Sequence, residues 1–180
     1  MPYDRQNRGP RDKTARTHKS DAMTKAKQSA GILLYRIRDG VPEVLLVHPG
    51  GPFWTRKDAG AWSIPKGEFI QEEEPLHAAQ REFAEETGTA LRGEFAALEP
   101  VRQKGGKTIH AWSIEGDLDA AAVRSNVFSM EWPPKSGTQK EFPEVDRAQW
   151  FTIAEGRSRI NPGQAQLLDQ LEAALALRPR

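Results

Sequence analysis

Residues 67–89 read GEFIQEEEPLHAAQREFAEETGT, and the local structure of this stretch decides how the whole chain is interpreted. Pro75 suits the first position of a helix, where its missing N–H has no partner to lose, and no further breaker follows before Gly88. We therefore predict a helix from Pro75 through Thr87. At about 100° per residue, its packing stripe consists of Leu76, Ala79, Phe83 and Thr87.

A second arc of this helix collects negative charge. Glu82, Glu85 and Glu86 share it, with the small Ala78 between them. Like charges at these spacings repel, at a cost on the order of a few tenths of a kcal/mol per pair, unless a cation lies between them. Two interpretations follow: a solvated acidic surface, which three glutamates alone would favour, or a site for a divalent cation. The chain has no cysteine, so oxygen ligation of Mg²⁺, with Mn²⁺ as the alternative, fits best.

The residues around the glutamates favour the cation site. Four further positions carry the residues and spacings of the Nudix box: Gly67, Glu73, Arg81 and Gly88. The segment thus resembles the Nudix box, with one departure, Thr89 where the pattern has an aliphatic residue. The resemblance implies an α/β (α+β) fold, the Nudix-type α/β/α sandwich around a mixed β-sheet. It also implies a Mg²⁺-dependent pyrophosphohydrolase.

The resemblance further implies roles for individual residues. Its metal ligands correspond to the carbonyl of Gly67 and the side chains of Glu82, Glu85 and Glu86, and its supporting residues to Glu73 and Arg81. Glu85 or Glu82 is the candidate general base. Arg81 is predicted to orient the Glu85 carboxylate, the alternative being an exposed ion pair of little energetic value.

Two segments suggest a branch of the family. The Pro-Lys-Gly approach to the box resembles enzymes that act on dinucleoside polyphosphates and diphosphoinositols, which makes Lys66 a candidate phosphate contact rather than an ordinary surface lysine. Residues 142–150, FPEVDRAQW, resemble the stretch before the last strand in the diadenosine tetraphosphate hydrolase branch. Glu144 is therefore a candidate accessory base or metal contact, with a solvated loop carboxylate as the alternative. Asp146 is as well explained as a turn-forming residue.

Other residues are candidates for substrate binding. The cations that could contact further phosphates are Arg56, Lys57, Lys135 and Lys140. The aromatic side chains in predicted loops that could stack on a nucleobase are Trp54, Trp132 and Phe142. Each has an ordinary alternative, an exposed cation or an aromatic ring that covers the edge of a core. His48 and His110 lie in predicted strands without metal-ligand spacing, so we interpret them as structural.

The rest of the domain alternates strands and turns. Residues 30–38, AGILLYRIR, and 42–48, PEVLLVH, flank Asp39-Gly40, which predicts a hairpin. Further strands are predicted at residues 62–65, 98–102, 108–115 and 148–153, with a loop at 48–60. Asn161-Pro162 predicts an N-cap, with Gln164 closing a capping box, at the start of a helix to about Leu177.

The N-terminal segment differs from the rest in charge. Residues 1–28 hold eight Lys or Arg against three Asp, which predicts a disordered basic tail before a Nudix domain at 29–178. A nucleic-acid arm and an extension without a role both explain it, and we favour the second. A later start at Met23 is a further alternative. With no secretory leader pattern or membrane span, a cytoplasmic location is expected.

Two functions follow from these residues. The first is hydrolysis of a nucleoside diphosphate linked to another group, with dinucleoside polyphosphates ahead of nucleoside triphosphates, so the expected partner is a small nucleotide. The alternative is a non-catalytic Nudix-fold module that binds a nucleotide or RNA. The intact acidic helix favours the enzyme.

Overall fold

The computed structural model describes residues 27–178, so the prediction for the basic tail falls outside the described part except at its last two residues. Gln28 already belongs to the first strand, β1 (Gln28–Arg38), which pairs antiparallel with β2 (Val41–Pro49). Asp39 and Gly40 join them, and both adopt positive φ angles, 52° and 77°. This is the two-residue turn that an Asp-Gly pair favours, and it confirms the predicted hairpin.

The domain is built on a mixed seven-stranded sheet. Besides β1 and β2, the strands of this sheet are β3 (Lys66–Glu68), β4 (Ala96–Ala97), β5 (Val101–Arg102), β6 (Thr108–Glu115) and β9 (Val145–Thr152). Its path runs β4-β6-β1-β2-β9, with β3 paired to β1 and β5 paired to β6; β1 and β6 are parallel, and β2 and β9 antiparallel. A separate hairpin comprises β7 (Val127–Glu131) and β8 (Gln139–Pro143). The helices are α1 (Pro75–Thr87), α2 (Ile153–Arg159) and α3 (Ala165–Ala176), with short 3₁₀ turns at Ala120–Ala122 and Pro162–Gln164.

Helices cover both faces of the sheet, so its central strands are apolar without interruption. On one face α1 packs with the cluster Ala30, Ile32, Leu34, Leu45, Ala78, Ala79, Phe83 and Ile114. On the other face α3 packs with a cluster that includes Leu33, Leu46, Trp62, Ile109, Leu167, Leu168 and Leu171. Strands covered on both sides read as continuous hydrophobic runs, which explains ILLY in β1. The predicted α/β/α sandwich with a mixed sheet is confirmed.

Several predicted elements differ in detail. Ala78, which lies on the same arc of the helix as the acids, is fully buried in the core. In the predicted strand 62–65 only isolated bridges form, at Trp62 and Ser63, and the strand follows at Lys66–Glu68. Of the predicted strand at 98–102, only Val101–Arg102 (β5) forms, and β4 precedes the predicted range at Ala96–Ala97. Neither the β7–β8 hairpin nor α2 was predicted.

The predicted capping box before α3 is wrong in one half. The Asn161 side chain accepts a hydrogen bond from the Gly163 N–H, at 2.9 Å, as an N-cap should. Gln164, however, turns inward and accepts from the Ile64 N–H at 3.1 Å, because that buried backbone donor needs a partner. The capping box occurs instead in α2, between Thr152 and Glu155. None of the helices in residues 27–178 is long and apolar enough to cross a membrane.

Candidate active site

Helix α1 holds the three box glutamates at fixed positions because its other face is anchored in the core. Ala79 and Phe83 are fully buried. The helix ends at Gly88, whose φ of 74° is left-handed and whose N–H donates to the Ala84 carbonyl at 2.8 Å. The predicted helix from Pro75 through Thr87 is thus confirmed, and its acidic arc lies outside the packed stripe.

Strand β3 passes directly beside this arc. Gly67 pairs with Ala30 of β1, and a Cβ atom at position 67 would overlap the carboxylate of Glu82. Only glycine therefore allows the backbone of β3 and Glu82 to approach this closely. The backbone of Gly67, whose carbonyl is a predicted metal ligand, therefore lies beside the carboxylate of Glu82, which is another predicted ligand.

Glu86 and Lys66 form the buried part of the site. The Lys66 N–H donates to Glu86 Oε2 at 3.1 Å. Burial raises the pKa of Glu86 to about 8; the charge and the N–H of Lys66 oppose this shift, and the charges of Glu82 and Glu144 add to it. Burial likewise lowers the pKa of the Lys66 amine. A partly buried cation thus lies close enough to the acidic helix to act on its charges.

Arg81 bridges three acids of the box. Its Nε and Nη2 each lie 3.0 Å from an oxygen of Glu73, a bidentate pair that raises the pKa of Arg81 and lowers that of Glu73. Its Nη1 lies 2.6 Å from Glu82 Oε1 and 3.5 Å from Glu85 Oε1. The contact with Glu85, the one predicted, is therefore the longest of the three. Glu85 is also the more exposed of the two helix partners, with 38% of its side chain accessible against 14% for Glu82.

Glu144 reaches this group from the other end of the sequence. It follows β8, its N–H donates to the Asn126 carbonyl, and its own carbonyl accepts from the Gly50 N–H, both at 2.9 Å. Asn126 in turn donates to the Glu85 carbonyl at 2.9 Å. Burial raises the pKa of the Glu144 carboxyl, and the charges of Glu82 and Glu85 raise it further. Four carboxyl groups are therefore close enough to act on one another electrostatically.

These residues fit a divalent cation in type and charge. Carboxylates and a backbone carbonyl are the oxygen donors that Mg²⁺ prefers. Burial is the main cause of the raised pKa values of Glu86 and Glu144, and the charges of neighbouring glutamates add to it. In residues 27–178 no three acidic or histidine side chains converge into a complete ligand set. Arg81 Nη1 contacts oxygens of both Glu82 and Glu85, so this arginine compensates part of their negative charge.

The predicted substrate contacts lie on two neighbouring segments. Arg56 and Lys57 are exposed in the loop after β2, where Lys57 Nζ lies 4.6 Å from the centre of the Trp54 ring. Lys140 is exposed on β8, and Trp132 follows β7. The Trp132 ring meets the ring of Phe53 edge-on, with centroids 5.5 Å apart, so the loop and the hairpin are in contact.

Sequence reasoning missed some members of this region. Phe53 was not singled out, although 57% of it is exposed beside Trp132. Phe142 lies in strand β8 rather than in a loop, and packs on Phe128 with centroids 6.1 Å apart. The cluster of aromatic residues in GGPFW, after β2, was the available signal for Phe53.

The two histidines lie in strands, as predicted. His48 in β2 is fully buried and contacts Asp146 and the backbone of Lys57. Asp146 lies in β9, so the turn interpretation of this residue is wrong. His110 in β6 is hydrogen-bonded to Gln28 at 3.0 Å. The contact between His48 and Asp146 joins residues 98 positions apart, and no local pattern signals it.

A mixed sheet between helices, with an acidic helix beside a glycine of the adjoining strand, is the arrangement of the Nudix fold. The family model described as NUDIX domain matches residues 25–171. The chain therefore belongs to the NUDIX domain family, which confirms the predicted class of enzyme, a Nudix pyrophosphohydrolase. Enzymes of this class generally use divalent metal ions.

Solved structures share the fold at low sequence identity. The binary complex of a C. elegans Ap4A hydrolase is similar at a TM-score of 0.59 and 21% identity, over 82% of this chain and 98% of that one. The NUDIX domain of Shewanella oneidensis NrtR, complexed with ADP ribose, gives a TM-score of 0.60 and 19% identity over 88% and 94% of the two chains. The M. smegmatis Nudix hydrolase RenU gives 0.53 and 21% over 86% and 89%. No curated protein matches the chain significantly.

Proposed function

We propose that the chain is a Mg²⁺-dependent hydrolase of a nucleoside diphosphate linked to another group, with dinucleoside polyphosphates as the first substrate class and nucleoside triphosphates as the second. The observation that supports it best is the group of carboxyls Glu82, Glu85, Glu86 and Glu144, which act on one another electrostatically, with the Glu82 carboxylate directly beside Gly67. A divalent cation would neutralise both such a group and a bound diphosphate.

A divalent metal bound here would neutralise phosphate charge and lower the pKa of a water molecule for in-line attack. The residues proposed to hold it are the Gly67 carbonyl, Glu82, Glu85 and Glu86. Glu85 is the better candidate for the base that accepts the proton of the water. Its carboxylate is more exposed than that of Glu82 and lies farther from Arg81 Nη1, 3.5 Å against 2.6 Å.

Arg81 has a positioning role in this scheme. Its bidentate pair with Glu73 fixes the guanidinium plane, which then limits the rotamers of Glu82 and Glu85. Glu144, which approaches from the end of β8, is proposed as an accessory base. Burial raises its pKa above the ordinary value, which makes its carboxylate a stronger base than that of an exposed glutamate.

The remaining candidates are proposed to bind the substrate outside the reacting phosphates. Lys66 lies at the buried end of the acidic group, where its lowered pKa reflects desolvation and a phosphate would compensate its charge. Arg56, Lys57 and Lys140 supply further exposed cations, and Trp132 an aromatic surface beside Phe53. Two aromatic rings with nearby cations suit a nucleobase that carries several phosphates. The Ap4A hydrolase that shares the fold is named for a substrate of this kind.

Product analysis tests the proposal. Purified full-length protein is incubated with diadenosine polyphosphates, nucleoside triphosphates and nucleotide sugars, with Mg²⁺ and with a chelator, and products are separated by ion-exchange chromatography. We expect Mg²⁺-dependent cleavage, fastest with a diadenosine polyphosphate. Well-folded protein that cleaves no pyrophosphate with either Mg²⁺ or Mn²⁺ contradicts the proposal.

A second candidate, a non-catalytic Nudix-fold module that binds a nucleotide or RNA, is favoured by one observation. Arg81 Nη1 contacts both Glu82 and Glu85, so the acids are partly neutralised without an ion. The Glu85→Gln variant distinguishes the two functions. In an enzyme this variant loses turnover and leaves folding intact, whereas in a binding module it changes only binding.

A further inference from the structure

The segment between β2 and Ala61 is short and is held firmly at both ends. Its middle exposes residues that are proposed to contact the substrate. We call residues 50–60 the aromatic loop; Phe53, Trp54, Arg56 and Lys57 are all exposed in it. At its start, the Gly50 N–H donates to the Glu144 carbonyl at 2.9 Å, and a Cβ at Gly50 would overlap the Pro143 carbonyl oxygen. The loop therefore begins in contact with the segment that carries Glu144.

The far end of the aromatic loop is anchored by Asp58. Its carboxylate accepts a hydrogen bond from Trp62 Nε1 at 2.7 Å and also pairs with Arg159. Trp62 is buried. Both ends of the loop are thus fixed to the core. Within residues 27–178 its middle pairs with no strand, and two of its backbone N–H groups make turn hydrogen bonds, Trp54 N–H to Gly51 O at 3.2 Å and Lys57 N–H to Trp54 O at 2.8 Å.

His48 provides a third anchor, nearest to the cations. The ring is fully buried, and its Nε2 lies 2.7 Å from the carbonyl oxygen of Lys57. A carbonyl only accepts, so Nε2 carries the hydrogen of this bond. Nδ1 lies 2.7 Å from Asp146 Oδ1, and Asp146 is also 3.6 Å from Arg147 Nε. A single buried ring therefore connects β2, β9 and the backbone of Lys57.

The His48 ring lies between two sets of residues that are proposed to act on the substrate. Lys57 and its neighbour Arg56 are proposed phosphate contacts, and Glu144, two residues before Asp146, belongs to the acidic group. The His48 ring thus fixes the position of the loop cations relative to β9, the strand that follows Glu144. A buried hydrogen bond between such groups is costly to break, so it can keep the loop in one arrangement before substrate binds.

We propose that His48 is a positioning residue for the substrate: its hydrogen bond to the Lys57 carbonyl holds the aromatic loop in the arrangement that binds the polyphosphate. This inference rests on the proposed function for its effect on KM, but its effect on the loop itself is independent of any activity. His48 touches neither the reacting atoms nor the metal in this scheme, so the chemical step should be insensitive to it.

The test compares two variants of the full-length protein with a matched control. His48→Leu fills the space without donors, and His48→Gln places an amide N–H close to the position of Nε2. Trp150→Phe is the control, because it removes another aromatic N–H to carbonyl bond, from Trp150 Nε1 to Leu118 at 3.1 Å, away from the loop. The measurements are KM and kcat on the best substrate, and the rates of tryptic cleavage after Arg56 and after exposed Lys104, followed by mass spectrometry.

We expect His48→Leu to raise KM about tenfold, the equivalent of one buried hydrogen bond, with kcat within about twofold of the wild type. Cleavage after Arg56 should accelerate by a similar factor, while cleavage after Lys104 stays unchanged. His48→Gln should recover most of both effects, and Trp150→Phe should show neither.

Unchanged cleavage after Arg56 in His48→Leu overturns the inference, as does a loss confined to kcat or an equal effect of Trp150→Phe. If the wild type hydrolyses nothing, the proposed function fails, and the cleavage rates still decide whether His48 holds the loop.

Discussion

Helix α1 and the β7–β8 hairpin both contribute to the candidate site, but they are held in place differently. Helix α1 inserts Ala78, Ala79 and Phe83, all fully buried, into the core against the central strands. The hairpin pairs only with itself in a two-stranded sheet, and Val127 at its base is 58% exposed. Isolated two-stranded ribbons are marginally stable without further packing. The acids proposed to bind the metal are thus on a rigid element, and the proposed substrate contacts on one that can adjust.

The two regions meet through the backbone at the end of α1. The Arg124 N–H donates to the Thr87 carbonyl at 3.2 Å, and the Asn126 N–H to the Glu85 carbonyl at 2.9 Å. The last carbonyls of a helix have no partner within it, so these bonds both complete α1 and fix where the hairpin begins. Changes in α1 should therefore affect chemistry and stability, and changes in the hairpin should affect substrate affinity.

The largest expected effect is on the chemical step. Glu85→Gln keeps the shape of the side chain but removes the proposed base and a metal ligand, so kcat should fall about 10²- to 10⁴-fold. Steady-state kinetics at saturating Mg²⁺ measures this. The matched control is Glu94→Gln, an exposed acid after Gly93, which should retain the wild-type kcat. A normal kcat in the Glu85→Gln variant would show that this acid of α1 takes no part in the chemical step.

The free energy of unfolding should also distinguish α1 from the β7–β8 hairpin. Phe83→Ala leaves a cavity in a fully buried position and should lower the free energy of unfolding by about 3–5 kcal/mol. Phe142→Ala, at a partly buried position of β8, should lower it by about 1 kcal/mol. Urea denaturation followed by far-ultraviolet circular dichroism gives both values. Equal losses would show that the hairpin is as firmly packed as α1.

The pH dependence of stability tests the charge on Glu86. Its folded-state pKa of about 8 lies above the ordinary value of 4.5, so Glu86 contributes stability that is fully present below the ordinary value and lost as pH rises through the folded one. In metal-free protein this loss has a slope of at most about 1.4 kcal/mol per pH unit. Thermal unfolding of wild type and Glu86→Gln between these pH values should show the slope only in the wild type, and Mg²⁺ should reduce it. A parallel pH dependence in both proteins would show that Glu86 is not desolvated.

The smallest effect is expected in the hairpin. Trp132→Ala removes the ring that contacts Phe53 and should raise KM by about threefold to tenfold, as loss of one stacking surface does, with little change in kcat. Initial-rate kinetics on a diadenosine polyphosphate measures it. Val127→Ala, on the same hairpin but without an aromatic ring, is the control and should leave KM unchanged. Equal KM values for Trp132→Ala and the wild type would exclude Trp132 from substrate binding.

The same contrast explains how far the sequence alone could predict the molecule. Pro75, Gly88 and the spacing of the residues between them specify α1 locally, and Asp39-Gly40 specifies the first hairpin. The proposed ligand positions follow from the same local spacing. These features need no knowledge of distant residues, because backbone preference and helical periodicity act over a few positions.

The recognition side of the site depends on pairs that are far apart in sequence. His48 meets Asp146, Phe53 meets Trp132, and Gln164 turns toward Ile64 rather than toward its own helix. Strand β8, QKEFP, contains two charges and a proline, which do not favour a strand. Helix α2 is only seven residues long and contains Gly156, which packs against Leu168 and Val44. Tertiary contacts determine the conformation of these elements, so local sequence patterns do not predict them.

The central claim is that the acids of α1, together with Gly67, hold a divalent ion. Titration of the full-length protein with Mn²⁺, monitored by the electron paramagnetic resonance of the free ion, tests this without any substrate. We expect saturable binding in the wild type that Mg²⁺ competes away, a loss of at least about tenfold in affinity for Glu82→Gln, and wild-type affinity for Glu94→Gln. Equal affinity in Glu82→Gln and the wild type, or no saturable binding in either, would contradict the account.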